Sequence, residues 1–431
     1  MTALLNYQLI YMDTKVTESA FVTAVVIGGG PAGLMAAETL ATQGLKVSLY
    51  ESMPTVGRKF LMAGRGGLNI THSEPFEQFC KRYAEAQPNL QTALNAFTPN
   101  DLVNWCHGLG IETFVGSSGR VFPSEMKAAP LLRRWIERLK HQGVEFHTRH
   151  RWVGWDDTKQ ALRFETPQGT QHVSANAVIL ATGGGSWRKL GSDGQWVELL
   201  KDKQIEIAPF KPSNCGFECK WSSILQDRHS GTPLKGVTLT FEDNKGIKWQ
   251  RKGELLIAKY GLEGSLIYAA SSPLREKIIA KGVADLYLDL MPDRPFKDLL
   301  KDMNKPQGSR SINSHLKRLG LKPVFIDLLR DRLSTEAMRN AQEITACLKH
   351  YPIQLTTPRP IDEAISTAGG VKLSDVNEDF MLSRCPGFFC AGEMLDWEAP
   401  TGGYLLTACF ATGQHAGRSA LNWIRTQQPS K

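Results

Sequence analysis

The chain has 431 residues, 42% of them apolar and 22% charged, with a formal net charge of +8. That length is more than one ordinary core holds and predicts two or three domains. The composition excludes a disordered or fibrous chain, and no apolar run approaches the roughly 20 residues that span a bilayer. Basic residues are spread along the chain without a block of five or more. The positive balance therefore reads as a solvated surface that attracts anionic cofactors rather than as a nucleic-acid footprint.

Met1–Ala20 has no early basic residue and is interrupted by Asn6, Gln8 and Asp13. It does not read as a secretion signal; it reads as a short extension, with Met12 as an alternative start. Phe21–Ile27 is a β-branched apolar run, as a central parallel strand requires. A glycine stretch, Gly28–Gly33, then opens the helix-forming run from Leu34 to Ala41, which ends towards Gly44. Lys46–Tyr50 is the next strand and Glu51 stands at its end, which completes a βαβ unit of about 30 residues.

A glycine-rich, basic stretch covers Gly57–Thr71. The pattern predicts helices over Asp101–Leu109 and Met126–Gln142, then strand-like runs around Glu145–Trp155 and Leu162–Glu165. Ala177–Ala181 is another buried strand, closed by Thr182-Gly183-Gly184-Gly185. From about residue 200 the character changes. Gly216–Lys220, Gly236–Phe241 and Lys248–Gln250 alternate like antiparallel strands, and residues 273–350 are polar, basic and largely helical in pattern. From about 356 the first character returns, with Gly387–Ala391 as a strand and a helix running through Leu405–Ala416. The expected division is 21–198 and 356–428 for a two-part domain, with 199–355 as an insertion of a β part and a helical part.

The strongest chemical signal is Gly28-x-Gly30-x-x-Gly33, because it follows a strand, opens a helix and is answered by Glu51. Gly28 allows the tight turn, Gly30 admits a pyrophosphate to the backbone, and Gly33 lets helix and strand pack. The helix start offers free N–H groups and positive potential to phosphates, and Glu51 can accept from ribose hydroxyls. This motif alone does not separate NAD from FAD. Three further features favour the longer molecule. Arg58-Lys59 can reach phosphates or the flavin edge. The strand end Ala181-Thr182-Gly183 returns the chain to the cofactor. Glu393, after Gly392, can hold the ribityl hydroxyls, while Gly402-Gly403 can bring the helix start to the flavin pyrimidine.

These blocks carry a resemblance to the BaiN-like, aminoacetone-oxidase-related family of FAD-binding oxidoreductases. They are Gly28–Gly33, Gly57-Arg58-Lys59 with Gly64–Thr71, Thr182–Gly194, Gly253–Leu256 with Tyr260-Gly261-Leu262, and Ala391–Asp396 through Tyr404. The resemblance implies an α/β fold: a two-part FAD-binding Rossmann-like domain with an inserted β-barrel and a helical subdomain. The residues expected against the cofactor are then Gly28, Gly30, Pro31, Ala32, Gly33, Glu51, Ser52, Arg58, Lys59, Asn69, Trp152, Ala181, Thr182, Gly183, Gly392, Glu393, Gly402, Gly403, Tyr404 and Leu405. The chain departs from its relatives at Gly67-Leu68-Asn69, Ala258-Lys259 and Glu263-Gly264-Ser265, segments that the resemblance places near the flavin.

The expected function is an FAD-dependent oxidoreductase passing a hydride or electron pair between a small organic substrate and FAD. No second strand-glycine-helix unit is present, so NAD(P)H would act as a diffusible substrate docking on the flavin face, or oxygen would be the partner. The alternatives are an RNA-associated or RNA-modifying flavoprotein, motivated by the basic 297–340 stretch, and a non-catalytic flavin redox sensor. No catalytic acid or base is assigned; His72, Lys259 and Tyr260 are candidates by position. The eight cysteines are not a disulfide framework. Neither Cys215/Cys219 nor Cys385/Cys390 has the spacing of a zinc ribbon or a redox pair, so structural thiols, no metal and a cytoplasmic place are expected. Oligomeric state is left open.

Overall fold

The computed structural model describes residues 22–64 and 66–427. The Met1–Ala20 extension and the Met12 start lie outside the described residues. Five parallel strands form the main sheet: β1 (Val22–Ile27), β2 (Val47–Glu51), β3 (Glu145–Thr148), β4 (Ala175–Leu180) and β5 (Phe388–Cys390). Their order is β5-β4-β1-β2-β3. Ala24, Val25 and Val26 are fully buried, which is why this run is apolar at every position instead of alternating. The first helix, Pro31–Ala41, packs along the long helix Tyr404–Gln427. The chain leaves β1 towards β2 and β3, and returns later to β4 and β5 on the other side. That reversal opens a crevice at the carboxyl ends of β1 and β4.

The change of character near residue 200 is a change of architecture. A closed antiparallel barrel runs Phe217–Cys219, Gly261–Glu263, Lys248–Ala258, Thr232–Glu242, Ala284–Asp289, Tyr351–Pro358 and back to the first strand. Its inward positions alternate: Ala284, Leu286 and Leu288 are buried, as are Tyr351, Ile353 and Leu355. Gly236, at φ +70°, makes the bulge that shifts register between Lys235 and Val237. Helices Phe296–Met303, Ile312–Arg318, Pro323–Arg332 and Ala341–Lys349 lie between the last two barrel strands. A two-stranded antiparallel stem, Ile207–Ser213 with Ser366–Val371, joins this unit to the main sheet.

Three local readings change. The run around Glu145–Trp155 is two strands, Glu145–Thr148 and Arg151–Asp156, in different sheets. Arg149 breaks it at φ +60°, where the N–H groups of Arg149 and His150 donate to the Met53 and Glu51 carbonyls. Ala284–Asp289 is a strand within the stretch read as helical, and the helix read through Ala416 continues to Gln427.

Candidate functional site

The crevice is lined at the sheet end by Gly28, Gly30, Pro31, Ala32, Glu51, Ser52, Ala181, Thr182 and Gly183. Arg58, Lys59, Trp152 and Glu393 also line it, so thirteen of the twenty expected residues meet there. The glycines have separable reasons. A Cβ on Gly28 would overlap the Ala181 carbonyl oxygen, and one on Gly33 would overlap the Gly28 carbonyl oxygen. Both are needed by the fold itself. A Cβ on Gly30 would meet nothing within 4 Å, and its φ of −81° suits any residue. Among the described glycines only Gly66 shares that combination. The fold requires glycine at neither position, but Gly30, unlike Gly66, borders the crevice, where a side chain would take up its space.

Gly30 is also the N-cap of the first helix and offers no side-chain cap, with Pro31 following. The N–H groups of Ala32 and Gly33 therefore have no acceptor within the helix, an arrangement suited to an anion. Arg58, in the crevice lining, has its Nε buried without a partner, and Asn69, outside the lining, has its Oδ1 buried likewise. Asn69 spends its amide nitrogen on the Thr71 and Val121 carbonyls, at 2.7 and 3.0 Å, which fixes its oxygen in place. An open glycine, a bare helix start and an orphaned guanidinium nitrogen in one lining together fit an extended dinucleotide.

Glu51 accepts from the Gly29 N–H at 2.9 Å and the Met53 N–H at 2.7 Å. Burial nevertheless outweighs these donors and pushes its carboxyl above the ordinary range. Lys59 Nζ donates to Glu393 Oε2 at 2.5 Å and to Ser186 Oγ at 2.7 Å. The other Glu393 oxygen accepts from the Thr367 N–H at 3.0 Å. Glu393 thus ties the stem strand to Lys59, with both its oxygens engaged at the edge of the crevice.

Gly33, Asn69, Gly392, Gly402, Gly403, Tyr404 and Leu405 do not line this crevice. Gly392, at φ +77°, presses its backbone against Ala32. A Cβ on Gly403 would overlap the Thr71 backbone, so packing against the Thr71–His72 strand already requires that glycine. The start of the long helix is held from outside: Tyr404 Oη donates to Glu74 at 2.6 Å, Arg82 pairs with Glu74 at 2.6 Å, and Tyr83 Oη donates to the Tyr404 carbonyl at 2.8 Å. Burial first, and then the Glu74 carboxylate, push the Tyr404 phenol upward. His72 stacks on Tyr404 at 5.6 Å, Lys259 is exposed, and Tyr260 donates to Glu263 at 2.5 Å beneath the Arg359 guanidinium. None of these three lines the crevice.

Sequence reasoning missed Tyr50, His150, Arg151, Asp193, Gln195, Trp196 and Cys409 in the lining. Arg151 pairs with Asp193 at 2.9 Å. The signal for this pair lay in the flank of the Thr182–Gly194 block beside the already chosen Trp152. All eight cysteines are free thiols, and burial raises both Cys385 and Cys390. Among the described residues there is no cluster of three metal-ligating side chains, and no helix is long and apolar enough to cross a membrane.

The chain is 26% identical to the 3-dehydro-bile acid delta(4,6)-reductase of Clostridium scindens, over 92% of this chain and 98% of that protein. It is 23% identical to the ribosomal RNA dihydrouridine synthase of Escherichia coli, over 88% of this chain and 93% of the relative. Among solved structures it is similar to the open conformation of a flavocytochrome c3 fumarate reductase, at TM-score 0.48 and 15% identity, over 94% of this chain and 79% of that one. The family model described as the HI0933-like protein Rossmann domain matches residues 22–419, barrel and returning strand included. With a match of that length, the chain belongs to the HI0933-like Rossmann-domain family.

Proposed function

We propose that this chain is an FAD-dependent oxidoreductase that reduces a carbon–carbon double bond conjugated to a carbonyl group, with NAD(P)H as the diffusible electron donor. The observation that carries the cofactor is Gly30, open to the crevice at an uncapped helix start. In this reading residues 21–198 and 356–428 form the FAD domain and 199–355 the insertion. Bound FAD would supply the two-electron chemistry. The chain's own residues do the rest. The N–H groups of Ala32 and Gly33 hold the pyrophosphate, and Glu51 and Ser52 the adenosine ribose. Arg58, Lys59 and Glu393 would form the middle of the cradle, and Asn69 and the start of the long helix, beyond the crevice lining, would flank the ring.

The direction of reaction rests on the relatives. A delta(4,6)-reductase and a dihydrouridine synthase both, by name, add two hydrogens across a carbon–carbon double bond. Free thiols throughout favour a cytoplasmic place. The test is anaerobic reduction of the purified protein with NADH and NADPH, followed by a panel of α,β-unsaturated ketones and then by air. Reoxidation by a ketone faster than by air supports the reading; reoxidation by oxygen alone makes the protein an oxidase. The ribosomal RNA relative favours a second reading, reduction of uracil within RNA. A uridine-containing oligonucleotide in the same panel separates the two.

A further inference from the structure

We propose a second small-molecule site on the opposite flank of the first helix, for a small aromatic carboxylate that also carries a ring N–H or hydroxyl donor. A half-open groove of about 440 Å³ lies between the first helix, the helix Pro99–Gly108 and the long helix. Pockets of this order take small organic ligands. It shares no lining residue with the dinucleotide crevice, so the inference does not depend on the flavin reading.

The lining sets the ligand's chemistry. Met35, Phe97, Trp105 and Leu421, two of them aromatic, give it one apolar wall, and the other seven lining residues are polar or charged. Glu38 also borders it, but its carboxylate is already consumed. It accepts from Trp105 Nε1 at 3.1 Å, Trp135 Nε1 at 2.6 Å and Arg138 at 2.8 Å. The same bonds fix the Trp105 indole, so that a rigid ring stands in the wall. Gln414, also in the lining, has its Oε1 shielded from solvent and without a hydrogen-bond partner among the described residues. A buried acceptor left unpaired in a polar cavity calls for a donor. Arg418 is an exposed cation among the lining residues, one helical turn further along the same face. An apolar ring, one donor and one anionic group satisfy all three features.

The probe is indole-3-acetate, with naphthalene-1-acetate as the ring that lacks the N–H. Each is titrated by calorimetry into the full-length protein as purified, while the flavin absorbance is followed. Indole-3-acetate should bind one site per chain and saturate by about 1 mM, with the flavin spectrum unchanged. Arg418→Gln should weaken both probes by roughly tenfold or more, the range of a charge-assisted hydrogen bond. Gln414→Leu should weaken indole-3-acetate by about tenfold and leave naphthalene-1-acetate unaffected. The absence of saturable binding overturns the proposal. So does wild-type binding in both variants, or displacement of flavin, which would put the probe in the dinucleotide crevice.

Discussion

Gly28, Gly30 and Gly33 belong to one motif, yet only Gly30 is free of a demand from the fold. This separates folding from cofactor binding by single substitutions. Gly30→Val should give a protein that unfolds at the wild-type apoprotein temperature but retains no FAD, because the side chain occupies the space meant for the pyrophosphate. Gly33→Val should instead fail at the level of the fold, since its side chain would run into the Gly28 carbonyl. Thermal unfolding with a parallel flavin assay checks both; loss of flavin with loss of stability in Gly30→Val would show that the glycine is structural. Glu51→Ala should weaken FAD binding by roughly 1–3 kcal/mol, read by flavin titration. At this scale the sequence was informative wherever a residue's reason is local. Gly28 and Gly33 follow from strand and helix adjacency. The Arg151–Asp193 pair and the Tyr404–Glu74 bond join residues 42 and 330 positions apart, and no periodicity announces them.

Among the elements, the long helix and the barrel junction carry the arrangement. Tyr404 begins the helix and is held by Glu74, itself paired with Arg82. Tyr404→Phe keeps the packing and removes one bond to a charged group, for an expected loss of about 1–2 kcal/mol in denaturant unfolding. In the proposed reading the start of this helix faces the flavin ring, where it would stabilise the reduced, anionic form. The same variant should therefore lower the flavin midpoint potential, and an unchanged potential at full occupancy would separate this helix start from the ring. At the junction, Arg275 is 2% exposed and pairs with Glu398 at 2.7 Å, while Ser213 and Ser272 donate to the same carboxylate. Burial pushes the Glu398 carboxyl up, but Arg275 and the two hydroxyls more than offset it, so the carboxyl lies below its ordinary value. Its contribution to stability is complete above the unfolded glutamate range near ~4.3 and is lost as pH falls towards the lower folded value. Arg275→Met strands the carboxylate and should cost about 3–5 kcal/mol at neutral pH. Melting curves taken from pH 6 down to the acid limb should show that limb flattened in Glu398→Gln. The barrel strand Ala284–Asp289 was hidden from sequence reading. Its alternation is only six residues long and sits among helical segments, where a period of two is easily absorbed.

For the whole molecule, the two-part organisation was legible because the apolar parallel strands stand at both ends of the chain and the alternating ones between them. Barrel closure was not legible from pattern, since it depends on the pairing of Phe217–Cys219 with Tyr351–Pro358 across more than a hundred residues. Cys385 and Cys390 are free, and burial raises both thiols, which opposes a reactive thiolate pair. A Cys385→Ser/Cys390→Ser protein should still have its flavin reduced and reoxidised in stopped-flow experiments. Failure in a folded, loaded double variant would make them a dithiol. Whether the chain holds FAD is read by chromatography of the flavin released by acid from the purified, reconstituted protein. FAD is expected at about one per chain in the wild type and none in Gly30→Val; FMN, or no flavin in the wild type, would rule out a dinucleotide site at Gly30.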